Sequence, residues 1–70
     1  MDDQWGKIFS ATDRYRVEIL KSLLEEEEII SVIVNKQSSS YIIFGEIELY
    51  VKREDILKAK RIVDRFLEKN

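Results

Sequence analysis

The sequence predicts a small α+β domain, a ferredoxin-like layout lacking its last strand, on three observations. Two segments carry apolar residues at helical spacing: Val17, Leu20 and Leu24 in the first, and Ile56, Ala59, Val63 and Phe66 in the second. "EIELYVK" alternates strictly, with Ile47, Leu49 and Val51 on one side and Glu46, Glu48 and Tyr50 on the other, the period of a strand with one buried face. "IISVIVN" is β-branched and too short for a typical helix, so it reads as a strand. The order is therefore β-α-β-β(-β)-α, with two helices packed on one face of a small antiparallel or mixed sheet.

Taken along the chain, the first strand is expected over Trp5–Ala11, "WGKIFSA", and it ends in a cap-rich cluster, Ser10 to Asp13. Thr12 or Asp13 can accept a hydrogen bond from the free N–H groups of the next turn, so the first helix starts there. Through "RYRVEILKSLLEEE", Ile19 and Leu23 widen the apolar stripe while Arg14, Glu18, Lys21 and Ser22 fall on the wet side. Its end is poorly written. Glu25 to Glu28 put four negative charges where the helix dipole favours cations, and no Gly supplies the usual left-handed terminator.

In the next strand Ile30, Val32 and Val34 share one face, and Ile29, Ser31 and Ile33 the other. The polar heptad "NKQSSSY" that follows reads as a hairpin tip. Gly45, between "YIIF" and "EIELYVK", marks a bulge, a bend or a tight turn, and Tyr41 to Val51 reads either as one bent strand or as two. The last helix is expected over Glu54 to Leu67, with Ile62 and Leu67 joining its stripe and Glu54–Lys58 as an i, i+4 pair. A crossover helix between the first two strands suggests a right-handed βαβ-type unit, the adjacency of those strands being left open.

Seventy residues make one domain with a thin core. A chain of this size buries only about 60% of its unfolded surface, and small folds usually need disulfides, a metal or a partner subunit. With no Cys and no His, disulfides are excluded and zinc lacks its usual ligands. No metal or cofactor is expected, and support falls to packing or to a partner chain. No apolar run approaches the ~20 residues that span a bilayer, and the acidic start "MDDQWG" is unlike a signal peptide. The expectation is a cytoplasmic protein without a membrane partner. Net charge is −2. Residues 1–51 hold five basic and ten acidic side chains (−5), whereas residues 52–70 hold seven and four (+3). A last helix of opposite sign to the body suggests internal complementarity.

Catalytic chemistry finds little footing. The serines have no His to activate them, a Ser–Lys arrangement through Lys36 has no supporting spacing, and Gly6 and Gly45 are too far apart for a phosphate loop. Glu46 and Glu48 project from one strand face, most simply as its wet side. The carboxylates of Glu25 to Glu28 radiate around a helix end and do not converge on a metal. Nucleic-acid binding would need aromatics and cations on an open sheet face: Tyr50, with Trp5, Lys7 and Phe9 if the first strand faces that way. There Glu46 and Glu48 would repel phosphate, and the cations of the last helix spread around it. An open face with Phe9, Tyr50 and some of Ile29, Ile33 and Ile43 suits another protein surface better, by homodimerisation through that face or through a sheet edge.

From "KIFSATDRYRVEILKSLLEEEEIISVIVN" through "FGEIELYVKREDILKAKRIVDRF" the chain resembles a bacterial family once grouped as a domain of unknown function and now called putative prokaryotic signal-transducing proteins. Glu18, Leu24, Gly45, Ile47, Leu49, Val51 and Ala59 match its pattern, which is one of packing more than of chemistry. The chain departs at Glu28, where the family commonly has Gly before Ile; a left-handed Glu28 would carry roughly 1 kcal/mol of strain. Close relatives carry a loop like "NK-x-D-S-x-Y", which Asn35, Lys36, Ser39 and Tyr41 fit, with Ser38 in the Asp position. The family is likened to the trimeric nitrogen-regulatory signalling proteins, which share a ferredoxin-like core and work through a mobile inter-strand loop; here that loop is short. The resemblance implies a regulator that binds a ligand or partner, not an enzyme. The sequence thus points to a non-enzymatic, homo-oligomeric, signal-transducing-like module binding a protein or a small molecule, with a nucleic-acid-binding module as the alternative. Its candidate residues are Asn35, Lys36, Ser39, Tyr41 and Gly45 at the hairpin, and Phe9 and Tyr50 on the open face.

Overall fold

The computed structural model describes residues 3–36 and 45–69. Its elements are β1 (Trp5–Ala11), α1 (Arg14–Glu26), β2 (Ser31–Asn35), β3 (Ile47–Lys52), a 3-10 turn (Arg53–Asp55) and α2 (Ile56–Lys69). The strands form one sheet of order β1-β3-β2, and both pairings are antiparallel. β1 and β2 are therefore parallel but not adjacent, because β3 is inserted between them: the ferredoxin-like layout minus one strand. The segment "YIIF" lies outside the described residues, and with it the choice between one bent strand and two.

The alternation of β3 explains its central place. Ile47, Leu49 and Val51 are at most 1% exposed and meet the apolar stripes of both helices: Val17, Leu20 and Leu24 from α1, and Ala59, Val63 and Phe66 from α2. Ile19, Leu23, Ile56 and Ile62 close the margins. Leu67, expected in the stripe, is 47% exposed, since it lies a full residue of rotation past Phe66. In β1 the register shifts between Lys7 and Phe9, a bulge at Ile8. Gly6 pairs with Val51 on the helix side, where a Cβ would run into the Cδ1 of Ile56.

Of the two candidate caps for α1, Asp13 takes the role. Its backbone is extended, and its carboxylate accepts from the Arg16 backbone N–H (3.2 Å) and from Arg16 Nε (2.9 Å). Those two hydrogen bonds, the side-chain one foremost, hold its pKa below the usual aspartate value. The far end of α1 closes by the pattern normally written with glycine. Ile29 N–H donates to Leu24 C=O and Glu28 N–H to Glu25 C=O, both at 2.9 Å, and Ile29 is buried beside Leu24. This geometry requires a left-handed residue, and Glu28 supplies it at φ 62°. A side chain there costs about 1 kcal/mol, and a fourth carboxylate at the helix C-terminus adds a few tenths. Glu28→Gly is therefore expected to stabilise the fold by about 0.5–1 kcal/mol after the greater unfolded-state entropy of glycine is subtracted. Urea denaturation should show a higher midpoint with an unchanged slope; a lower midpoint would contradict the assigned strain.

Candidate functional site

Because paired residues in adjacent strands share a face, the register defines the sheet surface opposite the helices. Val32 and Val34 of β2 lie beside Tyr50 and Glu48 of β3, and across β3 stand Trp5, Lys7 and Ser10 of β1. Lys36 continues the β2 alternation onto the same face, its N–H donating to Glu46 C=O at 3.0 Å. Both helices are on the other side, in the single core.

At the centre of this face is Glu48, only 6% exposed. Its Oε1 accepts a hydrogen bond from Tyr50 Oη at 2.8 Å and stands 3.4 Å from Lys36 Nζ, and its Oε2 stands 3.4 Å from Lys7 Nζ. The two lysines reach in from opposite neighbouring strands and stay half-exposed. The Tyr50 hydrogen bond, more than the Lys36 and Lys7 contacts, holds the Glu48 pKa below the ordinary glutamate value against the opposing effect of burial. The same bond pushes Tyr50 up, since losing its proton would put two anions together. A carboxylate held ionised is a weak base at neutral pH, and a phenol held protonated is a weak nucleophile. What the arrangement provides is a fixed, internally compensated polar centre on an otherwise half-apolar face.

The expected site residues divide accordingly. Tyr50 lies on this face and belongs to the cluster. Phe9 does not: the bulge at Ile8 re-phases β1, so Phe9 pairs with Leu49 and packs edge-to-face on Phe66, ring centroids 6.4 Å apart. Ile29 and Ile33 also turn to the helix side, the first fully buried and the second packed on the core, so Val32 and Val34 supply the face in their place. Of the hairpin residues, Lys36 joins Glu48, Asn35 pairs with Ile47 at the end of β2, and Gly45 precedes β3. Ser39 and Tyr41, like Ile43, fall outside the described residues. Glu48, on the side of β3 expected to be wet, is instead 6% exposed, with Lys7 and Lys36 on its two flanks.

A second concavity lies between the C-terminal half of α1 and α2, about 470 Å³ in volume. Leu23, Ile62 and Phe66 form its floor, Glu26 and Glu27 one rim, and Lys58, Arg61, Arg65 and Lys69 the other. The last helix's cations thus do not all spread around it. These four recur at i, i+3, i+7 and i+11, one stripe of a helix, whereas Lys60 does not line the groove.

Among the described residues, no helix is long and apolar enough to cross a membrane, and no group of three or more acidic residues is placed to hold a metal ion. Comparison with curated proteins gives no match, and comparison with solved structures gives none. A family model does match, over residues 5–66, from the start of β1 to Phe66 in α2. With almost all of its 70 residues covered, this chain belongs to the family described as putative prokaryotic signal transducing proteins.

Proposed function

We propose that this chain is a non-enzymatic signal-transducing module that acts in the cytoplasm by pairing with a second copy of itself through the sheet face opposite the helices. The observation that carries the reading is Glu48: a carboxylate with 6% exposure, ion-paired with Lys7 and Lys36 and hydrogen-bonded by Tyr50, at the centre of the face opposite α1 and α2. Interface centres are depleted of charged residues and enriched in aromatics. Here the charge is compensated within the subunit, and Trp5, Val32, Val34 and Tyr50 surround it half-buried. A second copy would turn a two-layer fold, 15 Å across its thinnest dimension, into one with a further buried layer. Nucleic acid is a poorer occupant, because Lys7 and Lys36 are already engaged with Glu48.

Sedimentation equilibrium at tens of micromolar is expected to give twice the 8.4 kDa chain mass. Val34→Glu puts an uncompensated charge on the face and should return the protein to monomer with its far-ultraviolet circular dichroism unchanged. A wild-type monomer at high micromolar concentration would overturn the proposal. A dimer indifferent to Val34→Glu would place the contact elsewhere, such as a sheet edge, and overturn this face.

A further inference from the structure

We infer that the groove between α1 and α2 is a binding site for a nucleoside phosphate, a ligand independent of the sheet-face pairing. Three properties of the groove point there together. The basic rim, Lys58, Arg61, Arg65 and Lys69, presents four cations along one line of α2, and neighbours one turn apart, such as Arg61 and Arg65, are spaced to share one phosphate. The floor of Leu23, Ile62 and the small exposed part of Phe66 is apolar, a surface suited to the non-polar body of a ligand. Glu26 and Glu27, on the opposite rim, are acceptors for hydroxyl and amino donors and would repel a second anionic end.

Among the described residues the two rims are not joined by ion pairs: the pairs are Lys7–Glu48, Lys36–Glu48, Asp13–Arg16 and Lys21–Glu25, and none bridges the groove. Four cations against two carboxylates leave the groove positive although the chain as a whole carries −2. A purely anionic ligand would leave the acidic rim unused, and a fatty acid would offer it nothing to bond. A ligand with a phosphate at one end, a non-polar body and donors at the other satisfies all three surfaces. The volume of about 470 Å³ lies within the range of small-molecule sites, roughly 300–1,000 Å³.

The test is a titration of the intact protein with adenosine 5′-monophosphate, inorganic phosphate and adenosine, followed by amide chemical shifts in two-dimensional NMR. The monophosphate is expected to bind at least tenfold more tightly than either fragment, to weaken as salt is raised, and to shift Leu23, Ile62 and Arg65. An Arg61→Glu, Arg65→Glu double variant, altered only at exposed positions, should keep the fold and lose binding at least tenfold. Equal affinity for inorganic phosphate would reduce the groove to a charged surface and overturn the inference. So would absence of binding, shifts centred outside the groove, or full affinity in the double variant.

Discussion

Leu49→Ala is expected to remove most of the stability of this protein. Leu49 sits at the middle of the central strand, fully buried, with Phe9 and Ile33 as its cross-strand neighbours and both helices above it. Truncating a buried leucine costs about 2–5 kcal/mol, with the upper values where surrounding groups cannot collapse into the cavity. Neighbours anchored on two flanking strands and two helices leave little room for collapse. A domain of this length has about 4–10 kcal/mol in total, so the loss runs from about a fifth to all of it, and the rigid surroundings put it in the upper part of that range. Thermal unfolding at fixed protein concentration should show a midpoint lower by about 10 °C or more. The matched control is Leu57→Ala in α2, where the side chain is 78% exposed and the change should stay within about 0.5 kcal/mol. Equal losses at the two positions would contradict the placement of the core.

That contrast between Leu49 and Leu57 also marks what could be read in the sequence. Elements with a sustained period were legible: β3 by its alternation, and α1 and α2 by their stripes, whose central members are the buried residues. The cap of α1 was legible to within two residues, Thr12 or Asp13, because capping is local chemistry, whereas a left-handed Glu28 followed only from the resemblance to a family with Gly at that place. The bulge at Ile8 was not legible. It inserts one residue into a run of β-rich sequence without Pro or a special turn pair to announce it, and one residue reverses every face that follows. Phe9 was misplaced for that reason alone. Ends fared less well than centres: Glu54, expected inside the last helix, belongs to the 3-10 turn before α2, and Ile29 and Ile30 precede β2.

The site was legible only in part, for a related reason. Alternation places Glu48 and Tyr50 two residues apart on one face, though their hydrogen bond appears only in the structure. The burial of Glu48 depends instead on Lys7 and Lys36, which reach it only through the β1–β3 and β2–β3 registers. Register is set by tertiary pairing, so the carboxylate looked like ordinary strand-surface polarity. The stripe of α2 was hidden differently. Its spacing is written in the sequence, but counting Lys52, Arg53 and Lys60 with it blurs four aligned cations into a general positive charge.

Glu48→Lys is expected to be as damaging as the core truncation, and the pH dependence of the wild type should show why. The substitution sets a third cation at a 6% exposed position between Lys7 and Lys36 and deprives the Tyr50 hydroxyl of its acceptor. Leaving a charge buried without its partner costs about 3–5 kcal/mol in well-enclosed sites, and the half-exposed lysines put this one toward the lower figure. Glu48→Gln is milder, since Tyr50 can still donate to the amide oxygen while the two cations lose their counter-charge. In the wild type, Glu48 has a folded pKa below its unfolded value, so its contribution is complete above the ordinary glutamate range, about 4.3. It is lost as pH falls through the lowered folded value. Tyr50 carries the opposite sign: its raised pKa gives stability that is present below the ordinary tyrosine range and is lost as pH rises through the folded value. Chemical denaturation from neutral pH into acid should therefore give a wild-type curve that falls more steeply than that of Glu48→Gln. The residual slope of the variant reports Asp13, whose pKa is also lowered. Ultraviolet titration of the tyrosines should show one late-ionising group that moves to lower pH in Glu48→Gln. Parallel acid limbs in the two proteins, together with an unmoved tyrosine, would show that the compensated centre at Glu48 does not form in solution.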